Sequence, residues 1–158
     1  MSVSATRSAG LSETPAPVSE HRLTRRVQFH ETDAAGIVHF SAFFRYMEEG
    51  EHALWRAAGL SIHPAGTEVG WPRLSASFEY HRPLRFEDEF EIHMQVAAVE
   101  RSTMSYVCRL TRGDEPIATG RLTIICVSRR PDAPLKATSI PPDIAARFRA
   151  VPEEQEER

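Results

Sequence analysis

The sequence predicts an α+β fold in which an antiparallel five-stranded sheet wraps around one long central helix. Residues 40–58 are apolar around most of a helical circumference, one strand-like segment precedes them, and four segments of alternating apolar and polar residues follow. Strands joined by short turns pair antiparallel, and a sheet with one apolar face must bury that face. The simplest arrangement therefore lays the sheet around the helix.

The 158 residues suit one domain with irregular ends. Residues 1–20 are rich in Ser, Ala, Thr and Pro, which predicts a disordered leader that packs against nothing specific. Residues 21–150 contain all of the periodic segments and are expected to form the domain. Residues 151–158 form a charged tail that we expect to fray.

The first strand and the helix follow from local patterns. Residues 23–29 alternate apolar and polar side chains, except that Arg25 breaks the apolar series. The helix is expected to begin after Ser41, a good N-cap residue, and to stop at Gly59. Because the helix is apolar almost all round, one sheet cannot cover it, and we expect a second subunit. Its widest apolar face contains Phe40, Phe43, Phe44, Met47, Gly50, Leu54, Trp55 and Ala58.

The remaining strands are predicted from period-two alternation. Residues 74–80, 90–98, 104–110 and 117–127 place apolar side chains at every second position, and the last segment is apolar on both faces in its second half. Prolines interrupt the chain after the last strand, and residues 142–149 are expected to form a short final helix. The four strands should join as antiparallel hairpins.

Composition excludes several classes of protein. The net charge of −3 gives no indication of nucleic-acid binding. No apolar run is long enough to span a membrane, and the N-terminus lacks a secretory pattern, so a cytoplasmic protein is expected. Cys108 and Cys126 lack metal-ligand spacing and are expected to be buried free thiols. No Walker loop, dinucleotide fingerprint or nucleophile elbow is present.

The loop before the helix contains the residues with the clearest chemistry. Asp33 lies a few residues ahead of the helix start, where free N–H groups and the positive end of the helix dipole are available. A carboxylate there can attack a carbonyl or activate water, while the N–H groups hold the developing negative charge. Gly36 allows the loop to turn tightly. The alternative is that Asp33 only forms an Asx turn or caps the helix.

The segment ETDAAGIVHFSAFFRYMEE resembles the signature of the 4-hydroxybenzoyl-CoA thioesterase family, and the YbgC-like acyl-CoA thioesterases are the subfamily it resembles most. The later segments WPRLSASFEYHRPLRFEDEFEI and GRLTIICVSRRPDAPLKATSIPPDIAARF also fit that family, so the resemblance covers about residues 23–148. It implies the hot-dog fold, with active sites between the subunits of a homodimer or homotetramer. It also implies hydrolysis of acyl-CoA without a metal or organic cofactor, since coenzyme A is part of the substrate.

The resemblance places the catalytic aspartate at Asp33 and the backbone N–H that polarises the carbonyl at Phe40. The loop histidine of YbgC-like relatives corresponds to Phe40, so His39 is expected to line the pocket or to have a structural role rather than to act in catalysis. Arginine forks suit the phosphates of CoA. The predicted substrate-binding residues are His39, Ser41, Phe44, Glu48, Arg82, Arg129 and Arg130.

Two acids on the helix have open roles. Glu51 falls near the middle of the apolar face and Glu48 borders it, so both are expected to be paired structural acids. The alternative is that one of them orients the hydrolytic water.

The predicted function is hydrolysis of an acyl-CoA, with Asp33 as nucleophile or general base. One alternative is a non-catalytic module that binds acyl-CoA or acyl carrier protein on the same scaffold. Another is a hot-dog dehydratase, which uses a histidine and an acid on facing subunits, and His39 matches that pattern poorly.

Overall fold

The computed structural model describes residues 15–153. A short 3₁₀ turn, Phe29–Glu31, lies between the first strand and the long helix. The elements in chain order are β1 (Glu20–Arg26), α1 (Ala42–Ala57), β2 (Val69–Gly70), β3 (Arg73–Tyr80), β4 (Glu89–Val99), β5 (Thr103–Arg112), β6 (Glu115–Ile125), β7 (Val127–Ser128), β8 (Lys136–Ala137) and α2 (Pro142–Ala145).

The main sheet has five strands in the order β1-β4-β5-β6-β3, and every neighbouring pair is antiparallel. Its inner face packs against α1, so the predicted five-stranded sheet around one central helix is confirmed. A second sheet of three short strands, in the order β2-β7-β8, was not predicted. The first strand ends at Arg26 rather than at Phe29, because the chain turns there into the 3₁₀ segment.

The long helix lies directly on β4. A Cβ atom on Gly50 would come within 2.5 Å of the Met94 side chain, so only glycine permits this approach. Gly59, with φ of 77°, ends the helix as predicted. Phe40 precedes the helix and is 63% exposed, so its predicted place on the buried face is wrong. Tyr46 is fully buried instead.

Strand β3 lies at the edge of the sheet and pairs only with β6 in the described part of the chain. Its alternation predicts an inward face that contains Leu74 and Tyr80, but these side chains are 58% and 47% exposed. Only Phe78 on this strand is half-buried. The predicted burial of this face is therefore wrong within one subunit. Phe43 of α1 contacts Phe78 and Tyr80, but the pairing of β3 with β6 shifts register between Arg73 and Ser75, beside Leu74.

Ordered packing begins before the predicted domain boundary at residue 21. Val18 N–H donates to the Arg147 carbonyl at 2.8 Å, and Arg149 N–H donates back to the Val18 carbonyl at 3.0 Å. Residues 18–20 of the predicted leader therefore belong to the domain, whereas the leader residues 1–14 and the tail residues 154–158 lie outside the described range.

The final helix, α2, ends at Ala145, which is earlier than the predicted end at residue 149. Phe148 is buried beyond it and packs against Trp55 of α1, with ring centroids 5.1 Å apart. Val18 and Phe148, which pair with each other, therefore lie beside the end of α1. Within the described residues, no helix has the length and apolarity needed to cross a bilayer.

Candidate active site

The Asp33 loop is a tight turn between two short extended arms. Thr32 and Val38 form an antiparallel bridge that closes the loop. Asp33 N–H donates to the Ile37 carbonyl at 3.0 Å, and Gly36 N–H donates to the Asp33 carbonyl at 2.9 Å. Gly36 has φ of 77°, which a residue with a Cβ adopts only with strain. The sequence therefore forms this turn because Gly36 stands at the one position that needs it.

The Asp33 carboxylate forms an Asx turn and still faces outward. Its Oδ1 accepts a hydrogen bond from Ala35 N–H at 2.8 Å, while no described residue donates to its Oδ2. The side chain is exposed. The Asx turn expected as the alternative role is therefore present, and one carboxylate oxygen remains free for another partner.

Asp33 lines a cavity of about 480 Å³ whose other walls are mainly apolar and aromatic. The predicted residues Phe40 and Arg82 line the same cavity, whereas sequence reasoning did not single out Tyr80 and His81 as parts of the site. The described residues contain no cluster of three or more His, Cys, Asp or Glu that could bind a metal ion. The complete lining is Asp33, Ile37, Val38, Phe40, Phe43, Tyr80, His81, Arg82 and Pro83.

The Phe40 N–H has no hydrogen-bond acceptor among the described residues. The neighbouring N–H groups are all satisfied: His39 donates to the Glu31 carbonyl at 2.9 Å, and Ala42 donates to the His39 carbonyl at 2.9 Å. Ser41 N–H donates to His39 Nδ1 at 3.2 Å. Phe40 therefore supplies a free donor two residues before the start of α1, as an oxyanion site requires.

Tyr80 connects the end of β3 to the start of α1. Its phenol donates a hydrogen bond to the Phe40 carbonyl at 3.0 Å, and its ring meets the Phe43 ring edge-on at 5.0 Å. Burial raises the pKa of Tyr80, so the phenol stays a donor at neutral pH. The alternation of β3 indicates the face on which Tyr80 lies, but it contains no signal that this strand end reaches the Asp33 loop.

Two predicted binding residues lie in a different cavity. His39 and Ser41 line a separate depression of about 340 Å³. His39 Nδ1 and Ser41 Oγ are hydrogen-bonded at 2.7 Å, so the serine hydroxyl binds the histidine instead of capping the helix. The helix does begin after Ser41, as predicted.

Apart from Arg82, the other predicted binding residues are also separate from Asp33. Arg129 and Arg130 line a third depression of about 290 Å³, where Arg129 Nη1 lies 3.1 Å from His63 Nδ1. Phe44 packs edge-on against Phe78 with ring centroids 5.2 Å apart and does not line the Asp33 cavity.

The two acids of α1 share one arginine. Arg73 donates to both carboxylate oxygens of Glu51, at 2.6 and 3.0 Å, and to Glu48 at 3.2 Å. Glu51 is fully buried, whereas the Glu48 side chain is 55% exposed. Burial raises the pKa of Glu51, and the Arg73 hydrogen bonds offset only part of that effect. Neither acid lines the Asp33 cavity, which favours the interpretation that both are paired structural acids.

The model of the thioesterase-like superfamily matches residues 27–148 of this chain. The chain belongs to this superfamily. A hypothetical protein of Aquifex aeolicus has a similar solved structure, with 31% identity, a TM-score of 0.75, and coverage of 82% of this chain and 99% of its own. The predicted hot-dog fold of this thioesterase is confirmed by these two similarities.

Two curated relatives of this thioesterase have names that specify an activity. A 1,4-dihydroxy-2-naphthoyl-CoA hydrolase of Synechococcus elongatus is 27% identical over 113 residues, which cover 70% of this chain and 83% of the relative. The acyl-CoA thioester hydrolase YbgC of Escherichia coli O6:H1 is 21% identical over 126 residues, which cover 78% and 92%. The predicted resemblance to YbgC-like thioesterases and the predicted enzyme class, thioester hydrolase, are confirmed.

Proposed function

We propose that this thioesterase hydrolyses an acyl-CoA to the free acid and CoA at the Asp33 cavity. One observation carries the proposal: the free Asp33 carboxylate oxygen and the unpaired Phe40 N–H belong to residues that line the same cavity. Relatives named as CoA thioester hydrolases support the substrate class.

In the proposed reaction, Asp33 attacks the thioester carbonyl or takes a proton from an attacking water. The carbonyl oxygen becomes an oxyanion that the Phe40 N–H and the positive end of α1 stabilise. The C–S bond then breaks, and CoA leaves as a thiolate that takes up a proton. When water is the attacking group, the acyl group keeps its oxygen and the reaction is complete. When Asp33 is the attacking group, water then hydrolyses the acyl–Asp33 anhydride, which releases the free acid and restores the carboxylate. A thiolate needs little help to leave, so this chemistry requires neither a metal nor an organic cofactor.

The walls of the cavity suit the two ends of such a substrate. Ile37, Phe43 and Tyr80 provide an apolar surface for the acyl group. Arg82 lines the same cavity, and its guanidinium suits an anionic group of CoA. We retain Arg129 and Arg130 only as candidates for the more distant phosphates, since they line a separate depression.

We also propose that the protein assembles as a homodimer or homotetramer whose active sites lie between subunits. The exposed apolar side chains and the unpaired edge of β3 support this assembly, because a second copy would cover both. Tyr80 lies on β3, so the Asp33 cavity is continuous with this surface.

The test is a hydrolysis assay of wild type and Asp33→Asn on a panel of aliphatic and aromatic acyl-CoAs, with colorimetric detection of the released thiol. Asparagine keeps the Oδ1 contact to Ala35 but loses the charge, and we expect kcat to fall by about 100- to 10,000-fold. The matched control is Asp114→Asn, an exposed acid in the β5–β6 turn, which should keep wild-type activity. Full activity in Asp33→Asn would place the chemistry elsewhere, and CoA-ester binding without thiol release by wild type would indicate a binding module.

A further inference from the structure

The stem of the Asp33 loop is held by a half-buried ion pair. Arg25 of β1 donates to both carboxylate oxygens of Glu31, from Nη1 at 2.7 Å and from Nη2 at 2.6 Å. Arg25 Nε also donates to Glu49 of α1 at 2.6 Å. The side chains of Arg25 and Glu31 are only 20% and 8% exposed. The pair therefore joins the first strand, the loop stem and the helix.

Two further contacts fix the Glu31 carboxylate. The Tyr46 phenol of α1 donates to its Oε1 at 3.1 Å, and the Gln28 N–H donates to the same oxygen at 2.7 Å. The Arg25 guanidinium lies over the Tyr46 ring, 4.7 Å from its centroid. A carboxylate with this many donors in a half-buried site has one favoured position.

The backbone of Glu31 reaches the other arm of the loop. Its carbonyl accepts the His39 N–H at 2.9 Å, and His39 directly precedes Phe40. Glu31 itself stands two residues before Asp33. Glu31 is therefore linked to both arms of the loop. One arm contains the Asp33 carboxylate, and the other contains the free N–H of Phe40.

We propose that Glu31 is a positioning residue, held by Arg25 and Tyr46, that sets the distance between the Asp33 carboxylate and the Phe40 N–H. The inference rests on the proposed function. Glu31 does not line the Asp33 cavity, so its effect on the reaction is exerted through the geometry of the loop. A displacement of about 1 Å in such a pair of groups costs on the order of 100-fold in rate.

The molecule contains a matched comparison for this role. Arg73 and Glu51 form a second two-point ion pair that ties α1 to β3, and Glu51 is even more buried than Glu31. This second pair makes no contact with the Asp33 loop and does not line its cavity. Removal of the Glu51 charge therefore measures the effect of a lost buried ion pair alone.

The experiment compares Glu31→Gln with Glu51→Gln in the full chain, at a temperature well below the Tm of both variants. We expect Glu31→Gln to lower kcat by about 10- to 100-fold with less than a threefold change in KM, and Glu51→Gln to keep kcat within about twofold of wild type. Amide exchange of His39 should accelerate only in Glu31→Gln. Arg25→Gln should lower kcat less when it is added to Glu31→Gln than when it is made alone, because the Arg25–Glu31 contact is then already lost and only the contacts of Arg25 with Glu49 and the Tyr46 ring remain to be removed.

The outcomes separate the two proposals. If wild type hydrolyses acyl-CoA and Glu31→Gln keeps wild-type kcat, the positioning role is wrong and the proposed function stands. An equal loss of kcat in Glu31→Gln and Glu51→Gln would also overturn it, since a general loss of stability would then explain both. If wild type hydrolyses none of the acyl-CoAs, the proposed function fails and the positioning role fails with it.

Discussion

The Tyr80 phenol donates a hydrogen bond to the Phe40 carbonyl at 3.0 Å, and so ties the edge strand β3 to the residue that carries the free N–H. Tyr80→Phe removes this bond and keeps the ring against Phe43. We expect the free energy of unfolding to fall by about 1 kcal/mol. Because the Phe40 backbone is then held less firmly, kcat should fall by roughly 3- to 10-fold. Urea unfolding and acyl-CoA kinetics measure the two effects.

Tyr80→Leu is the companion variant, because it removes both the bond and the aromatic wall of the cavity. It should raise KM as well as lower kcat, whereas Tyr80→Phe should leave KM almost unchanged. An unchanged kcat in Tyr80→Phe would show that the phenol does not support the site.

The exposed face of β3 leads to a prediction about assembly. Leu74 is 58% exposed within one subunit, and Leu74→Glu would place a charge where we propose that a second copy packs. We expect light scattering to show a smaller particle and activity to fall with it. Leu135, which is 65% exposed in a different region, provides the control for particle size, which Leu135→Glu should leave unchanged. It is not a control for activity, because Leu135 lines the depression that contains Arg129 and Arg130. An unchanged particle size in Leu74→Glu would place the subunit contact elsewhere.

The strands and the helix could be predicted because their signals are local. Phe90, Ile92, Met94 and Val96 alternate along β4 and are all buried against α1. The same alternation on β3 predicts a buried face that one subunit does not bury, since burial depends on the place of a strand in the sheet. The alternation of side chains along a strand does not indicate which strand lies at the edge of the sheet.

The candidate site was predictable in part, for a related reason. Asp33 and the Phe40 N–H are seven residues apart on one short loop, so a local motif indicates both. Tyr80 is distant from Asp33 in sequence and comes close to it only in the folded chain. The same holds for Arg25 and Glu49 around Glu31. The sequence shows Arg25 only as a break in an apolar series, because its partner Glu49 is 24 residues away and on another element. His39 is close to Asp33 in sequence, yet it lines a separate cavity because the loop directs it away from Asp33.

Gly36 allows the conformation of the loop to be tested directly. Its φ is 77°, and a Cβ atom there would meet nothing within 4 Å, so a substitution acts only through backbone strain. Gly36→Ala should lower the free energy of unfolding by about 1–2 kcal/mol, whereas Gly36→Asn should cost less, because asparagine tolerates this region. Activity should follow the same order, measured as kcat on one acyl-CoA. Equal losses of stability in Gly36→Ala and Gly36→Asn would mean that other residues of the loop relieve the strain.

The Arg25–Glu31 pair should make stability depend on pH. Burial disfavours the charged form of Glu31, but hydrogen bonds from Arg25 and from the Gln28 N–H outweigh it and lower its pKa from the ordinary value of 4.5. The unfolded chain therefore binds the Glu31 proton first as pH falls, and this contribution to stability is lost from 4.5 downward. The difference in free energy of unfolding between wild type and Glu31→Gln should be largest above about pH 5.5 and should shrink in more acid solution.

Glu51 should give the opposite pH dependence of stability in the same molecule. Since burial raises its pKa above 4.5, the folded state holds its proton longer than the unfolded chain does as pH rises. The stability of wild type relative to Glu51→Gln should therefore fall as pH rises above 4.5, whereas its stability relative to Glu31→Gln should fall as pH drops below 4.5. Urea unfolding across this range measures both differences. If the difference between wild type and Glu31→Gln does not change below 4.5, then Arg25 does not hold the Glu31 carboxylate in its charged form, and the anchoring of the loop must come from the backbone contact to His39 alone.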